Sequence, residues 1–203
     1  MELIQSFSVD HTRIVPGIFT SRVDTVGGDT VTTYDIRLKK PNREPVIDVA
    51  AMHSLEHIIA TFLRNDPDWK DEVIYWGPMG CLTGFYLILK GNRAPQEIYD
   101  KPVNPFVAEF FGNLPINFIK RNGVLYGIRP ENIEVRNINE ARSGLENGEW
   151  IKAELIRQEL LGAQKVLYIK VGKENIVVSI DSKEEIIGNM LEIRMVPEKI
   201  VWF

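Results

Sequence analysis

The 203 residues contain one cysteine, Cys81, and three histidines, His11, His53 and His57. A single thiol excludes an internal disulfide framework and suits a reducing cytoplasm. No apolar run reaches the roughly 18 residues that a membrane span requires. The opening Met1-Glu2-Leu3-Ile4-Gln5 has neither the basic nor the long apolar part of a secretory signal. The expectation is a cytoplasmic protein with no direct membrane insertion. Net charge is only -4, spread evenly along the chain, and no basic stretch interleaved with aromatics marks a nucleic-acid surface. A phosphate-cradling G-x-x-x-x-G-K-[ST] loop is missing as well. The scarce reactive residues are unevenly placed: histidine and cysteine stop at residue 81. Chemistry that needs them belongs to the N-terminal part.

That part contains His53-Ser54-Leu55-Glu56-His57. Residues three and four apart on an α-helix lie about one turn from one another, so the two imidazoles and the carboxylate share a face. Two neutral imidazoles supply half of a transition-metal site, and a neighbouring carboxylate can move protons. A lone histidine on an amphipathic helix is usually a solvated or capping group; the pair, with Glu56 between, points to a ligand pair. The surrounding pattern predicts the helix. From Val49, the residues Met52, Leu55, Ile58, Ile59, Phe62 and Leu63 form a wide apolar stripe, and Asp66-Pro67 ends the run.

Elsewhere the signals are of strands. Residues 2–9 and 18–22 read as short strands, and Gly27-Gly28-Asp29 is a hairpin turn signal. From Thr30 to Lys39 the sequence alternates, with Tyr34, Ile36 and Leu38 on one side and Asp35, Arg37 and Lys39 on the other. Phe85-Tyr86-Leu87-Ile88-Leu89 is apolar on both faces, which predicts a strand covered on each side. After Arg93 a turn-rich segment leads to short strands at 125–128, 150–159, 165–171, 176–180, 191–196 and 200–203, with glycines between them. Such spacing suggests a small barrel or sandwich. Cys81 follows Pro78-Met79-Gly80 and is open to three readings: a small buried hydrophobe, a metal ligand, or an acid/base thiol. Arg37 with Asp35 is either a surface ion pair or a clamp for an anion or hydroxyl. His11, after Asp10, is either an exposed turn residue or part of a site.

The motifs Asp10-His11-Thr12-Arg13, Asp35-Ile36-Arg37, Pro41-Asn42-Arg43-Glu44-Pro45, His53-x-x-Glu56-His57 and Tyr75-Trp76-Gly77-Pro78-Met79-Gly80-Cys81-x-Thr83-Gly84-Phe85-Tyr86 closely resemble the S-ribosylhomocysteine lyase (LuxS) family over residues 1–92. The resemblance implies a cytoplasmic homodimer with an Fe²⁺ or Zn²⁺ centre. It also implies two carbonyl isomerisations of S-ribosylhomocysteine, followed by β-elimination of homocysteine. The other product would be 4,5-dihydroxy-2,3-pentanedione, the autoinducer-2 precursor used in quorum sensing. His53 and His57 match the metal-ligating histidines, Glu56 and Cys81 the acid/base pair, and Ser6, His11 and Arg37 the substrate-contacting positions. The family continues with an amphipathic helix and a cysteine that is the third metal ligand. Neither motif follows here. The expectation is an incomplete ligand set, little or no lyase turnover, and an uncovered apolar face on the strand carrying Phe85, Leu87 and Leu89.

Residues 93–203 resemble something else. Ala94-Pro95-Gln96-Glu97-Ile98-Tyr99-Asp100 and Gly127-Ile128-Arg129-Pro130-Glu131 look like the end of a maltose-type ABC importer ATPase, with its OB-like regulatory (TOBE) strands. That resemblance implies importer subunits as partners and, lacking the nucleotide motifs, no ATP hydrolysis. The expected architecture is an incomplete α+β LuxS-like part at 1–92 followed by an all-β OB-like barrel at 93–203, a chimera joined near residues 90–96. The competing functional reading is a non-catalytic regulatory module of an ABC sugar importer.

Overall fold

The computed structural model describes residues 10, 13–102, 105–110, 112, 114–138 and 149–203, without the side chains of 106 and 110. The chain separates into two compact units, Met1–Asn113 and Leu114–Phe203. Among the described residues no helix is long and apolar enough to cross a membrane.

The first unit is an antiparallel sheet packed against helices. Strands β1 (Gly17–Val26) and β2 (Asp29–Arg37) form a hairpin, and β3 (Val73–Pro78) and β4 (Gly84–Lys90) complete a sheet of order β1-β2-β4-β3. The two-residue turn between β1 and β2 holds Gly27 at φ 58° and Gly28 at φ 93°, the left-handed pair that a right-twisted hairpin needs. Gly84 lies opposite Arg37 in the β2–β4 register, where a Cβ would stand 2.3 Å from the Ile36 carbonyl oxygen. Only glycine lets these strands close at that point.

Helix α1 (Val49–Asn65) starts at Asp48, whose carboxylate accepts hydrogen bonds from the Ala50 and Ala51 amides at 2.9 and 3.3 Å. Its buried stripe is narrower than the sequence pattern predicts. Met52, Ile59 and Leu63 are buried, whereas Ile58 and Phe62 are each 39% exposed. The strand β4 also differs from expectation: Phe85, Leu87 and Leu89 are buried, but Tyr86 faces outward and Ile88 is half-buried, so the sheet is covered on one face.

That face is not left open. The segment after Arg93, read from sequence as turns, forms helices α2 (Pro95–Asp100) and α3 (Pro105–Phe110). Their Ile98 and Val107 join α1 in one core with Trp76, Phe85, Leu87 and Leu89. The expected exposure of this face is therefore corrected: residues beyond the lyase motifs supply apolar cover. Burying one such side chain contributes roughly 1.5–3 kcal/mol. The fit is imperfect, since a void of about 20 Å³ remains among Ile59, Trp76, Leu87, Ile98 and Val107, and the buried Trp76 indole N–H has no acceptor among the described residues. Arg93 clasps the arrangement. Its guanidinium donates to both oxygens of Glu72 (2.6 and 2.9 Å), to Glu97 (3.0 Å) and to the Asp68 carbonyl (3.1 Å), and lies 4.6 Å from the Trp69 ring centroid. Its own carbonyl accepts from the Tyr34 hydroxyl at 2.7 Å. The sequence reading put the junction at 92/93, while the compact units meet at 113/114 because residues 93–113 pack with the first core.

The second unit is all β, as an OB-like part should be. Strands β5 (Asn117–Arg121), β6 (Val124–Ile128), β7 (Ile133–Asn137), β8 (Ile151–Leu161), β9 (Gln164–Val171), β10 (Glu174–Asp181), β11 (Met190–Met195) and β12 (Val201–Trp202) form two antiparallel sheets, β10-β9-β8-β11-β7 and β12-β6-β5. Buried Asn117 ties the sheets together: its Nδ2 donates to the Val177 carbonyl at 2.8 Å, and its Oδ1 accepts from the Val177 amide at 2.7 Å. The half-buried charges are closed on each other across β7 and β11, Arg136 with Glu192 and Arg194 with Glu134. Trp150 lies over them, 3.9 Å from the Arg136 guanidinium carbon.

Candidate active site

The imidazoles of His53 and His57 stand on the exposed side of α1 with ring centroids 4.4 Å apart, edge to face. Glu56, between them in sequence, is half-buried. The spacing read from sequence thus places the two rings side by side. It does not give more. Among the described residues no set of three or more His, Cys, Asp or Glu side chains is placed to hold a metal ion. The pair fits two corners of a metal centre and falls short of the three-donor set that the resemblance implied.

A second constellation is built on the sheet. Arg37, at the end of β2, is only 4% exposed, although strand alternation assigned it to the polar side. It is not a surface ion pair. Its Nε donates to Asp35 Oδ1 at 3.0 Å, and its Nη2 to the other carboxylate oxygen. The remaining nitrogen, Nη1, donates to Thr83 Oγ1 at 2.6 Å and approaches Cys81 Sγ at 3.5 Å. Thr83 Oγ1 is 3.0 Å from the same sulfur. Cys81 is exposed, so its thiol is reachable while its neighbours Arg37 and Thr83 are not.

The loop that carries Cys81 is pinned at several points. The Met79 amide donates to the Gly84 carbonyl and the Leu82 amide to the Met79 carbonyl, both at 2.9 Å. The Thr83 carbonyl accepts from Leu38 and Lys39, and the Leu82 carbonyl from Ile47. Leu82 adopts φ 55°, a left-handed conformation costing roughly 1–2 kcal/mol for a non-glycine residue. Its side chain packs on the first core, which holds the strained backbone in place.

Electrostatics follow from this geometry. The largest influence on the Cys81 thiol is burial, which pushes its pKa up. The Thr83 hydrogen bonds and the Arg37 charge together outweigh it, and the thiol lies below its ordinary value. Tyr86, on the outer face of β4, is pushed the other way by burial and by the charges of Asp35 and Cys81, and stays neutral. A reachable sulfur held toward its thiolate form can take up and return a proton.

The structure therefore brings Cys81 and Arg37 together and sets His53 beside His57. Ser6 and His11 lie outside the described residues. Thr83 was missed as a site residue. The signal for it was present, since a hydroxyl two residues after the cysteine enters β4 directly beside the register partner of Arg37.

Comparison with known proteins adds a lineage to each unit. The family model described as S-Ribosylhomocysteinase (LuxS) matches residues 4–117, and the TOBE domain model matches residues 126–203. The S-ribosylhomocysteine lyase of Phocaeicola vulgatus is 52% identical over 117 residues, covering 57% of this chain and 73% of that protein. That of Desulfotalea psychrophila is 51% identical over 117 residues, 57% of this chain and 74% of the relative. That of Borreliella afzelii is 52% identical over 100 residues, 49% of this chain and 64% of the relative.

Proposed function

Because this chain belongs to the S-ribosylhomocysteinase (LuxS) family and carries a TOBE domain at residues 126–203, we propose that its first unit is a slow S-ribosylhomocysteine lyase. The products would be homocysteine and 4,5-dihydroxy-2,3-pentanedione. The observation that supports this most is the reachable Cys81 thiol held by Thr83 and Arg37 beside a buried Asp35 ion pair. Both isomerisations and the elimination need a proton removed beside a carbonyl and one returned at the next carbon. Cys81 and Glu56 are our acid/base pair for these transfers. Ser6, His11 and Arg37 are our substrate-site residues, with buried Arg37 acting on the substrate through Thr83 and Cys81. His53 and His57 hold Fe²⁺ or Zn²⁺ more weakly than a closed three-donor centre would. Among the described residues these two histidines lack the third donor of a closed set. A homodimer through the first unit and a cytoplasmic location complete the reading.

A donor set short of closure slows turnover. Misplacing reacting groups by about 1 Å already costs on the order of 10²-fold. Released homocysteine, measured with Fe²⁺ or Co²⁺ added, should appear at about 10²-fold or more below the rate of a complete lyase, and Cys81→Ala should abolish it. Release equal to the Cys81→Ala background would refute the reading, and full lyase turnover would refute the slow rate. Anaerobic elemental analysis tests the metal: His53→Ala should strip it, and unchanged metal content removes the assignment.

A second reading is favoured by one observation, that the TOBE match falls on a separate compact unit with its own core. It makes that unit a contact module for ABC importer subunits, with the first unit as a passenger. Stoichiometric first-row metal distinguishes the two, since only the lyase reading expects it.

A further inference from the structure

Arginine has only donors, and a threonine hydroxyl has one hydrogen to give. Arg37 Nη1 donates to Thr83 Oγ1 at 2.6 Å, so the hydroxyl is the acceptor on that side. Its own hydrogen is left for Cys81 Sγ at 3.0 Å. Thr83 is 2% exposed, and solvent does not compete for that hydrogen. A thiolate has no hydrogen to give, so in that form the direction of the chain is set: Asp35 holds Arg37, Arg37 donates to the Thr83 hydroxyl, and the hydroxyl donates to sulfur.

We propose that Thr83 is a positioning residue for the proton-transfer thiol, donating its hydroxyl hydrogen to Cys81 Sγ and relaying the orientation imposed by the Asp35–Arg37 pair. This rests on the reading of Cys81 as the proton-transfer group. The relay fixes two side-chain donors on the sulfur, the Thr83 hydroxyl and Arg37 Nη1, beside the Thr83 backbone amide, which a change of side chain leaves in place. Among the described residues Tyr86 on β4 also interacts with the sulfur; it is neutral and does not replace either donor. Losing a donor to an anion raises the pKa of its acid, so removal of the hydroxyl should disfavour thiolate.

Cys81 is the only thiol in the chain, and iodoacetamide alkylation followed against pH therefore reports it alone in the full-length protein. Thr83→Val keeps the shape and removes the hydroxyl. We expect the alkylation midpoint to rise by about one pH unit, a tenfold loss of thiolate below the midpoint. Thr83→Ser restores the hydroxyl and should titrate like the parent, which a packing role would not produce. If the valine variant does not fold, Thr83→Ala carries the same expectation. A midpoint unchanged by loss of the hydroxyl overturns the relay, and so does an equal rise in the serine variant. The outcome is separable from the lyase reading. A shifted midpoint in a protein that releases no homocysteine keeps the relay and removes the lyase, whereas homocysteine release with an unshifted midpoint does the reverse.

Discussion

The two units treat buried charge in opposite ways. In the second, Arg136 and Arg194 are each 13% exposed and each closes on a glutamate of the neighbouring strand, beneath Trp150. Their charge is spent on holding two strands in register. In the first, Arg37 is more deeply buried, yet only part of its donor set goes to Asp35. The rest is directed at Thr83 and, through it, at a reactive sulfur. A closed charge pair is architecture; a charge with a donor left over is a device for tuning a neighbour.

This contrast can be broken by substitution. Arg37→Met strands the largely buried Asp35 carboxylate and leaves the Thr83 hydroxyl without its donor. We expect the first unit to lose about 3–5 kcal/mol. Arg194→Met leaves behind Glu134, whose side chain is 45% exposed and open to water, so the second unit should lose less, about 1 kcal/mol. Urea unfolding resolves the two, because Trp69 and Trp76 report the first unit, and Trp150 and Trp202 the second. Equal losses would erase the distinction. Of intermediate size is Asn117→Ala, which leaves the Val177 amide and carbonyl unpaired between the two sheets. A cost of about 1–3 kcal/mol confined to the second unit is expected, and an effect on the Trp69 and Trp76 signal would contradict the division.

The smallest effect sharpens the contrast through pH. The folded Cys81 thiol titrates below its ordinary value of 9.0. The thiolate's contribution to stability is therefore absent below the folded value, grows as pH rises through the interval, and is complete above 9.0. The melting temperature of the parent should rise relative to Cys81→Ser as pH increases toward that value. A difference that stays flat, or that shrinks, shows that the sulfur gains nothing from Thr83 and Arg37. The second unit has no cysteine or histidine and should show no such interval.

Much of this arrangement was legible in the residues. The α1 helix, the Gly27-Gly28 hairpin and most of the second unit's strands follow from local periodicity and turn chemistry, which act over a few residues. Pro95 at the first helical position with Glu97 in the first turn also marked α2, although the neighbouring prolines suggested turns. Asn122-Gly123, with φ 51° and 82°, was an equally local signal for the β5–β6 hairpin. The burial of Arg37 was not legible. Alternation gives the face a side chain takes, but the loop from Met79 to Thr83 decides whether that face meets water. Nor could the sequence reveal that Ile98 and Val107 would cover Leu87, since that depends on packing between elements apart in the chain.

Arg93 carries a consequence for where this polypeptide can be cut. It stands just past the last lyase motif, yet its guanidinium holds Glu72 and lowers that carboxylate's pKa, chiefly through the hydrogen bonds it donates. A protease nick after residue 92 would free Glu72, deprive the Tyr34 hydroxyl of its acceptor and carry Ile98 and Val107 away from Trp76. The family match runs to residue 117 and the first unit to Asn113, so residues 93–113 belong to both. A cut at residue 92 would divide the inherited stretch and the compact unit alike.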